Sequence, residues 1–581
     1  MRALAHRVTV PPILNEMVWT SAWAGPPPDA AHLDKTEPVP RRAGRTRAEL
    51  QGRSRAPKVH VSQARRESQG RWALGWIAAL IAATIYALFD AGKDGAHKRV
   101  VGRPVPRRHF WPSTGADRTD ANAAGVVRRT VAGRAPVVLT GSPALDWRAL
   151  RAWTPEALGK RISRLPQLYE HSNASFWWHD NSNLMGRRLG LRVSEPHGFA
   201  HDVPGRTFFD AEAAAGGRGR LREGGRYLYT SEKLHVPPFD ALSADAEPRG
   251  FLSATADLPG GGGGQDAIFW AGDEATTAHA HYDPTHTMFV QVVGTKTFTL
   301  WPPERWPSLR LHPHGHPGHR QAQRDVAAEP PPPLRAGCLD TRRPKAERKP
   351  PFWSPRRKVE ATTASAAASS SAAEGCAESQ QTTLSPGELL YVPPYWFHTV
   401  VSRSFSVAVS VVTDSRDGDR FEAACRQGLP APLVAPDASR AARAAAARRL
   451  FVLLLRRLLP APRRASYVHE AIVAPRLLPL GAELRCDASY DGCASAAGGA
   501  GAGAGAREDE PAADRREAEL VGRIAAALAG RSSAVDGAAA VETLDGVGHI
   551  VLQDYVQHVG GYAVGVEFLC AFLRSCVDGR S

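Results

Sequence analysis

A chain of 581 residues is too long for a single packed core, and its 53 Gly and 46 Pro, with long Ala, Arg and Ser tracts, exclude dense packing throughout. The formal net charge of +15 could attract a polyanion, but the basic residues are scattered through Pro- or Ser-rich sequence, as at Arg41-Arg42, Arg342-Arg343 and Arg356-Arg357-Lys358. They read as solvated linker charge, and nucleic acid is not indicated. The seven cysteines (Cys338, Cys376, Cys425, Cys486, Cys493, Cys570 and Cys576) form no CxxC pair and no Cys/His cluster of zinc-finger spacing, so neither a disulfide framework nor a structural zinc site is indicated.

Residues 1–71 lack periodicity and read as a disordered basic tail. From Trp72 to Phe89 (WALGWIAALIAATIYALF) there is no charged residue, and at helical rise this run reaches roughly 27 Å, enough for a thin bilayer. A transmembrane anchor over 72–90 is expected, followed by a stalk over 91–130. Arg65, Arg66 and Arg71 on one side nearly balance Lys93, Lys98 and Arg99 on the other, so orientation and compartment stay open.

Organised sequence begins with a strand at 135–139 and a helix at TPEALGKRIS, where Thr154 can cap and Glu156 sits in the first turn. Strand-like runs follow at RYLYT, AIFWAG and MFVQVVGTKTFTLW, the last read as a hairpin turning at Gly294-Thr295. About 325–380 reads as a low-complexity insertion. Strands resume at Leu389–Val392 and Phe405–Val412. The part from 416 to 581 reads as helical, with helices at 441–459, 515–529 and 562–574 and a Gly/Ala linker at 498–506.

The chemistry starts at His281-Tyr282-Asp283. On a strand, residues two apart share a face, so an imidazole and a carboxylate stand side by side. One such pair is expected by chance among 21 histidines, so it needs a third member. His398 ends SPGELLYVPPYWFH, in which Pro386-Gly387 and Pro393-Pro394 mark turns around a buried strand. Two histidines and a carboxylate from separate strands leave adjacent metal positions open for a bidentate co-substrate and dioxygen. Lys296 shares a face with Phe298 and Leu300. If that face is interior, its ammonium needs an anion; a solvated turn lysine is the other reading. His312, His314, His316 and His319 form a row that could bind a metal, but no thiolate or carboxylate nearby completes a set, so a polar loop over the site is expected.

TTAHAHYDPTHTMFVQVVGTKTFTLWPP from Thr276 resembles the iron-binding segment of the JmjC/cupin-like Fe(II)/2-oxoglutarate-dependent oxygenases. PGELLYVPPYWFHTVVS from Pro386 is similar to that family's distal-histidine segment, and PVVLTGSPALDWRALRAWTPEAL to its usual entry. The resemblance covers roughly 130–415. It implies a mainly β fold with flanking helices, a double-stranded β-helix (cupin jelly roll) over 131–415. It makes His281, Asp283 and His398 the Fe(2+) ligands and catalytic residues. It further implies that Lys296 binds the distal carboxylate of 2-oxoglutarate, with Tyr229, or Tyr227 on the same face, as a second contact and Thr277 as a neighbouring one. Ala278, Thr287 and Ser410 depart from residues frequent in the family at those places.

The function implied is an oxygenase that decarboxylates 2-oxoglutarate to succinate and CO2 while hydroxylating a protein or peptide side chain, or demethylating N-methyl-lysine. A cupin-fold binding protein without turnover and a membrane-tethered interaction protein are the alternatives. Full-length protein is expected to stay with the membrane pellet on alkaline carbonate extraction. Release into the soluble fraction would remove 72–89 as an anchor.

Overall fold

The computed structural model describes residues 103–111, 120–171, 174–178, 198–214, 227–246, 265–323, 379–490, 515–531 and 544–577. The expected tail, anchor and Gly/Ala linker, and all but the end of the expected insertion, lie outside them.

Branched and aromatic residues at alternate positions favour extended chain, because each side chain then packs on one face of a pleat. The resulting strands are β1 (Arg103–Pro104), β2 (Arg107–His109), β3 (Val137–Thr140), β4 (Arg164–His171), β5 (Ser175–Phe176), β6 (Gly198–Pro204), β7 (Tyr227–Lys233) and β8 (Gln265–Gly272). They continue with β9 (Thr277–His281), β10 (His286–Val293), β11 (Lys296–Trp301), β12 (Gln380–Leu384), β13 (Leu389–Val392), β14 (Phe397–Ser402) and β15 (Ser406–Thr413). One sheet runs β1-β12-β11-β14-β9-β5, and the other runs β2-β3-β13-β10-β15-β8-β7-β4-β6. Phe289, Leu390 and Ala408 from the larger sheet meet Phe298, Leu300 and Val400 from the smaller one in a shared interior. The chain thus adopts the mainly β architecture with flanking helices that its sequence implies.

Helices cover both outer faces. Outside the larger sheet, α1 (Asp120–Ala132), α2 (Pro155–Arg161) and α3 (Gly205–Ala214) bury Val127, Leu158 and Phe208 against strand residues such as Phe269 and Val409. Thr154 caps α2, its hydroxyl accepting from Ala157 N at 3.2 Å. Outside the smaller sheet lie α4 (Asp419–Cys425), α5 (Arg440–Leu458), α6 (Arg515–Leu528) and α7 (Gly546–Val564), whose Leu450, Ile524 and Ile550 share one core with Ala280, Tyr282 and Phe397. Complete burial of each such side chain contributes about 1.5–3 kcal/mol.

Three expectations need correction. The hairpin at Gly294-Thr295 does not form: β10 pairs with β13 and β15, whereas β11 pairs with β12 and β14, so the chain crosses there from one sheet to the other. Gly294 permits the crossing, because its φ is 67° and an added Cβ would lie 2.0 Å from the Phe405 carbonyl oxygen. The helix placed at 562–574 is broken at Gly565, where α7, almost every residue of which is buried, ends and the chain bends by 111° into the helical turns that begin at Val566. Cys486 and Cys570, both buried, are joined in a disulfide, with their Cα atoms 4.8 Å apart.

β11 and β12, the strands on either side of the expected insertion, pair with each other. Among the described residues no single helix is long and apolar enough to cross a membrane. The bent pair Gly546–Val564 and Val566–Ser575 passes that test on composition, but its first member is built into the helical core. Gly294→Val should lower unfolding stability by about 2 kcal/mol or more, through left-handed backbone and the close Phe405 carbonyl. Equilibrium denaturation in urea checks it.

Candidate metal centre

The pairing of β9 with β14 brings the candidate ligands together. His398 pairs with His281 and Val400 with Ala278, so β9 carries one residue more than β14 over that interval. Such a bulge resets the alternation of side chains. Ala278 packs against the interior core, Ala280 and Tyr282 turn outward into the helical core, and His281 and Asp283 face inward with His398.

The His281 and His398 rings lie 4.2 Å apart. Their Nε2 atoms stand 4.0 and 3.8 Å from Asp283 Oδ2. His281 Nδ1 is 2.6 Å from the His279 carbonyl and His398 Nδ1 is 3.0 Å from that of Trp396. A carbonyl only accepts, so each Nδ1 donates and each Nε2 keeps its lone pair for a metal. Burial, with His281 adjacent, pulls His398 down to about 4. Burial also lowers His281, against the opposing pull of Asp283. For Asp283, burial acts upward, but His281, His398 and Arg320 outweigh it and hold the carboxyl below its usual value. At neutral pH the cluster therefore offers two neutral imidazoles and one carboxylate, a set that suits Fe(II) with open positions.

Arg320, which carries no signal in the sequence, brings Nη1 to 3.9 Å from Asp283 Oδ1. Its carbonyl accepts from Tyr282 N at 3.2 Å, and Gln321 makes an isolated bridge to His281. The segment after β11 therefore braces the edge of the ligand strand.

Lys296 lies deeper in the same interior, 2% exposed. Its Nζ is 5.4 Å from the Tyr229 ring centre and 5.9 Å from that of Phe289. Among the described residues no carboxylate pairs with it, and burial alone pushes its pKa down to about 7. Tyr229, packed on Phe176 with ring centres 5.4 Å apart, is thus the tyrosine brought to Lys296. The Thr277 hydroxyl donates to the Ala275 carbonyl at 3.0 Å, and its pairing with Val401 puts it out of phase with interior Ala278. Ser410 accepts from Trp270 Nε1 at 2.8 Å, while the buried Thr287 hydroxyl has no partner among the described residues.

Of the histidine row after β11, His314 and His319 pack against α7, whereas His312 stacks on His316 with ring centres 4.3 Å apart. His319 Nε2 lies 3.2 Å from Asp554 Oδ2, a carboxylate supplied from far along the chain.

The family described as a cupin-like domain matches residues 123–412, and the chain belongs to that family through this domain. Over 142 residues it is 28% identical to a protein of Arabidopsis thaliana named lysine-specific demethylase JMJ31. That similarity covers 24% of this chain and spans 20% of the length of the relative.

His281→Ala, His398→Ala and Asp283→Ala should each weaken Fe(II) or Mn(II) binding by more than the roughly tenfold to hundredfold that loss of an outer partner costs. Equilibrium metal titration read by elemental analysis checks this. Thr277→Ala should leave the metal stoichiometry unchanged.

Proposed function

We propose that this chain is an Fe(II)- and 2-oxoglutarate-dependent oxygenase that hydroxylates a protein side chain. The observation that carries the reading is Lys296: a buried ammonium without a carboxylate partner among the described residues, in the same interior as two histidines and an aspartate with free lone pairs. An unpaired buried charge is costly, and a dicarboxylate co-substrate supplies the missing anion. The buried Thr287 hydroxyl, without a partner among the described residues, offers the same interior a further polar contact.

In this reading His281, Asp283 and His398 hold the iron, Lys296 binds the distal carboxylate of 2-oxoglutarate, and the Tyr229 hydroxyl adds a hydrogen bond to it. Bound iron would supply the activation of dioxygen that couples 2-oxoglutarate decarboxylation to oxidation of a C–H bond. The aromatic and aliphatic interior around Lys296 excludes water, which strengthens its bond to a carboxylate. A protein substrate is supported by the name of the Arabidopsis relative. Demethylation of N-methyl-lysine would use the same residues. Peptide mass spectrometry separates the two outcomes, as gain of an oxygen atom or loss of a methyl group. Tethering through 72–89 belongs to the same proposal and places the chain at a membrane.

Wild-type protein with Fe(II), 2-oxoglutarate and a peptide library should release succinate. Metal binding without succinate would instead favour a cupin that binds but does not turn over. Lys296→Met should keep the metal and lose about tenfold to a hundredfold in 2-oxoglutarate affinity, the equivalent of a charge-assisted bond of about 1.5–3 kcal/mol. The pH dependence has a definite sign. With the free Lys296 near pH 7, anion binding above that pH requires uptake of a proton, so affinity should fall by up to about tenfold per pH unit from 7 to 9. In Lys296→Met this slope should vanish.

A further inference from the structure

A second cluster of metal-ligating side chains lies outside the barrel interior. The segment Leu311–Gln323 is turned tightly by Pro313, Gly315, Pro317 and Gly318. Gly315 has a φ of 84°, and a Cβ on Gly318 would meet the His312 ring at 3.0 Å. These turns press His314 and His319 onto α7. His314 N donates to Gln557 Oε1 at 3.1 Å, His314 Nε2 lies 3.3 Å from His558 Nδ1, and His319 Nε2 lies 3.2 Å from Asp554 Oδ2. One nitrogen each from His314 and His319 and one oxygen from Asp554 all fall within 4.8 Å of one another.

Two observations favour an ion over a bare hydrogen-bond network, and a third is compatible with one. His314 Nδ1 is buried without a hydrogen-bond partner among the described residues, and a buried polar atom left unsatisfied calls for an explanation such as an ion. The two oxygens of Asp554 are divided: Oδ1 accepts from Arg476 Nη2 at 2.7 Å, while Oδ2 faces His319 at 3.2 Å and the Tyr282 hydroxyl at 3.4 Å. A carboxylate anchored from behind in this way is the usual outer support of a metal ligand. The 3.2 Å separation of His319 Nε2 and Asp554 Oδ2, a hydrogen-bond distance, is also compatible with the edge, roughly 3.3 Å, of a tetrahedron built from zinc–nitrogen and zinc–oxygen bonds of about 2.0–2.1 Å.

We propose that His314, His319 and Asp554 form a second, structural metal site for a zinc-class divalent cation, which clasps the segment after β11 to α7. Two imidazoles and a carboxylate match zinc in ligand type. The site is independent of the barrel interior and does not require the oxygenase reading.

The test uses the full chain carrying His281→Ala and His398→Ala, stripped with a chelator, so that the barrel site does not compete. One equivalent of Zn(II) should bind and raise Tm. Co(II) in its place should give the visible absorption of a tetrahedral site. Adding His314→Gln or His319→Gln should weaken binding at least about tenfold and remove that absorption, with far-ultraviolet circular dichroism unchanged. X-ray absorption of the zinc-loaded double variant needs no further substitution and should show imidazole and oxygen scattering without sulfur. Absence of a bound equivalent, binding that survives both glutamines, or sulfur in the shell would overturn the proposal.

Discussion

Everything at the candidate centre depends on one extra residue in the ladder between β9 and β14. A strand of strict alternation that put Ala278 inside would put His281 outside. The bulge at His279–Ala280 lets Ala278 and His281 both face the interior, although they are three residues apart. The two outward residues it leaves are used. His279 Nε2 meets the Ala322 carbonyl at 2.8 Å and its ring stacks on Trp177, while Ala280 joins the helical core. Flattening the bulge would therefore disturb the ligands and two packing surfaces together.

The interior divides its charges by depth. Near the rim, Asp283 is compensated by Arg320 and sits between two imidazoles held neutral by burial. Deeper in, Lys296 has aromatic faces and no anion among the described residues. A rim that accepts a cation and a floor that accepts an anion suit a ligand that chelates with one end and carries a second carboxylate at the other.

Much of this was legible in the sequence because the signals were local. Period-two patterning located Lys296 with Phe298 and Leu300, and the turn residues around Leu389–Val392 located the strand preceding His398. Features set by distant partners were not legible. Gly294-Thr295 looks the same whether its flanking strands pair with each other or with separate sheets, and only β12 to β15 decide. The bulge that puts Thr277 out of phase with His281 is fixed by register with β14. Asp554 completes a set with His314 and His319 but lies 235 residues beyond His319. Helix α7 escaped notice because it is buried on all sides and lacks the apolar stripe that marks a surface helix. Cys486 and Cys570, 84 residues apart, carry no spacing signal.

The contact of Tyr282 with Asp554, whose hydroxyl and Oδ2 lie 3.4 Å apart across 272 residues, has a consequence for the nascent chain. At roughly 5–20 residues per second, α7 leaves the ribosome roughly 15 to 50 s after the strand that carries His281. During that interval Ala280, Tyr282 and Phe397 lack the helix that later covers them. The barrel is thus translated with an apolar flank still open, and a stop codon placed just after β15 would make that exposure permanent, leaving a surface prone to self-association.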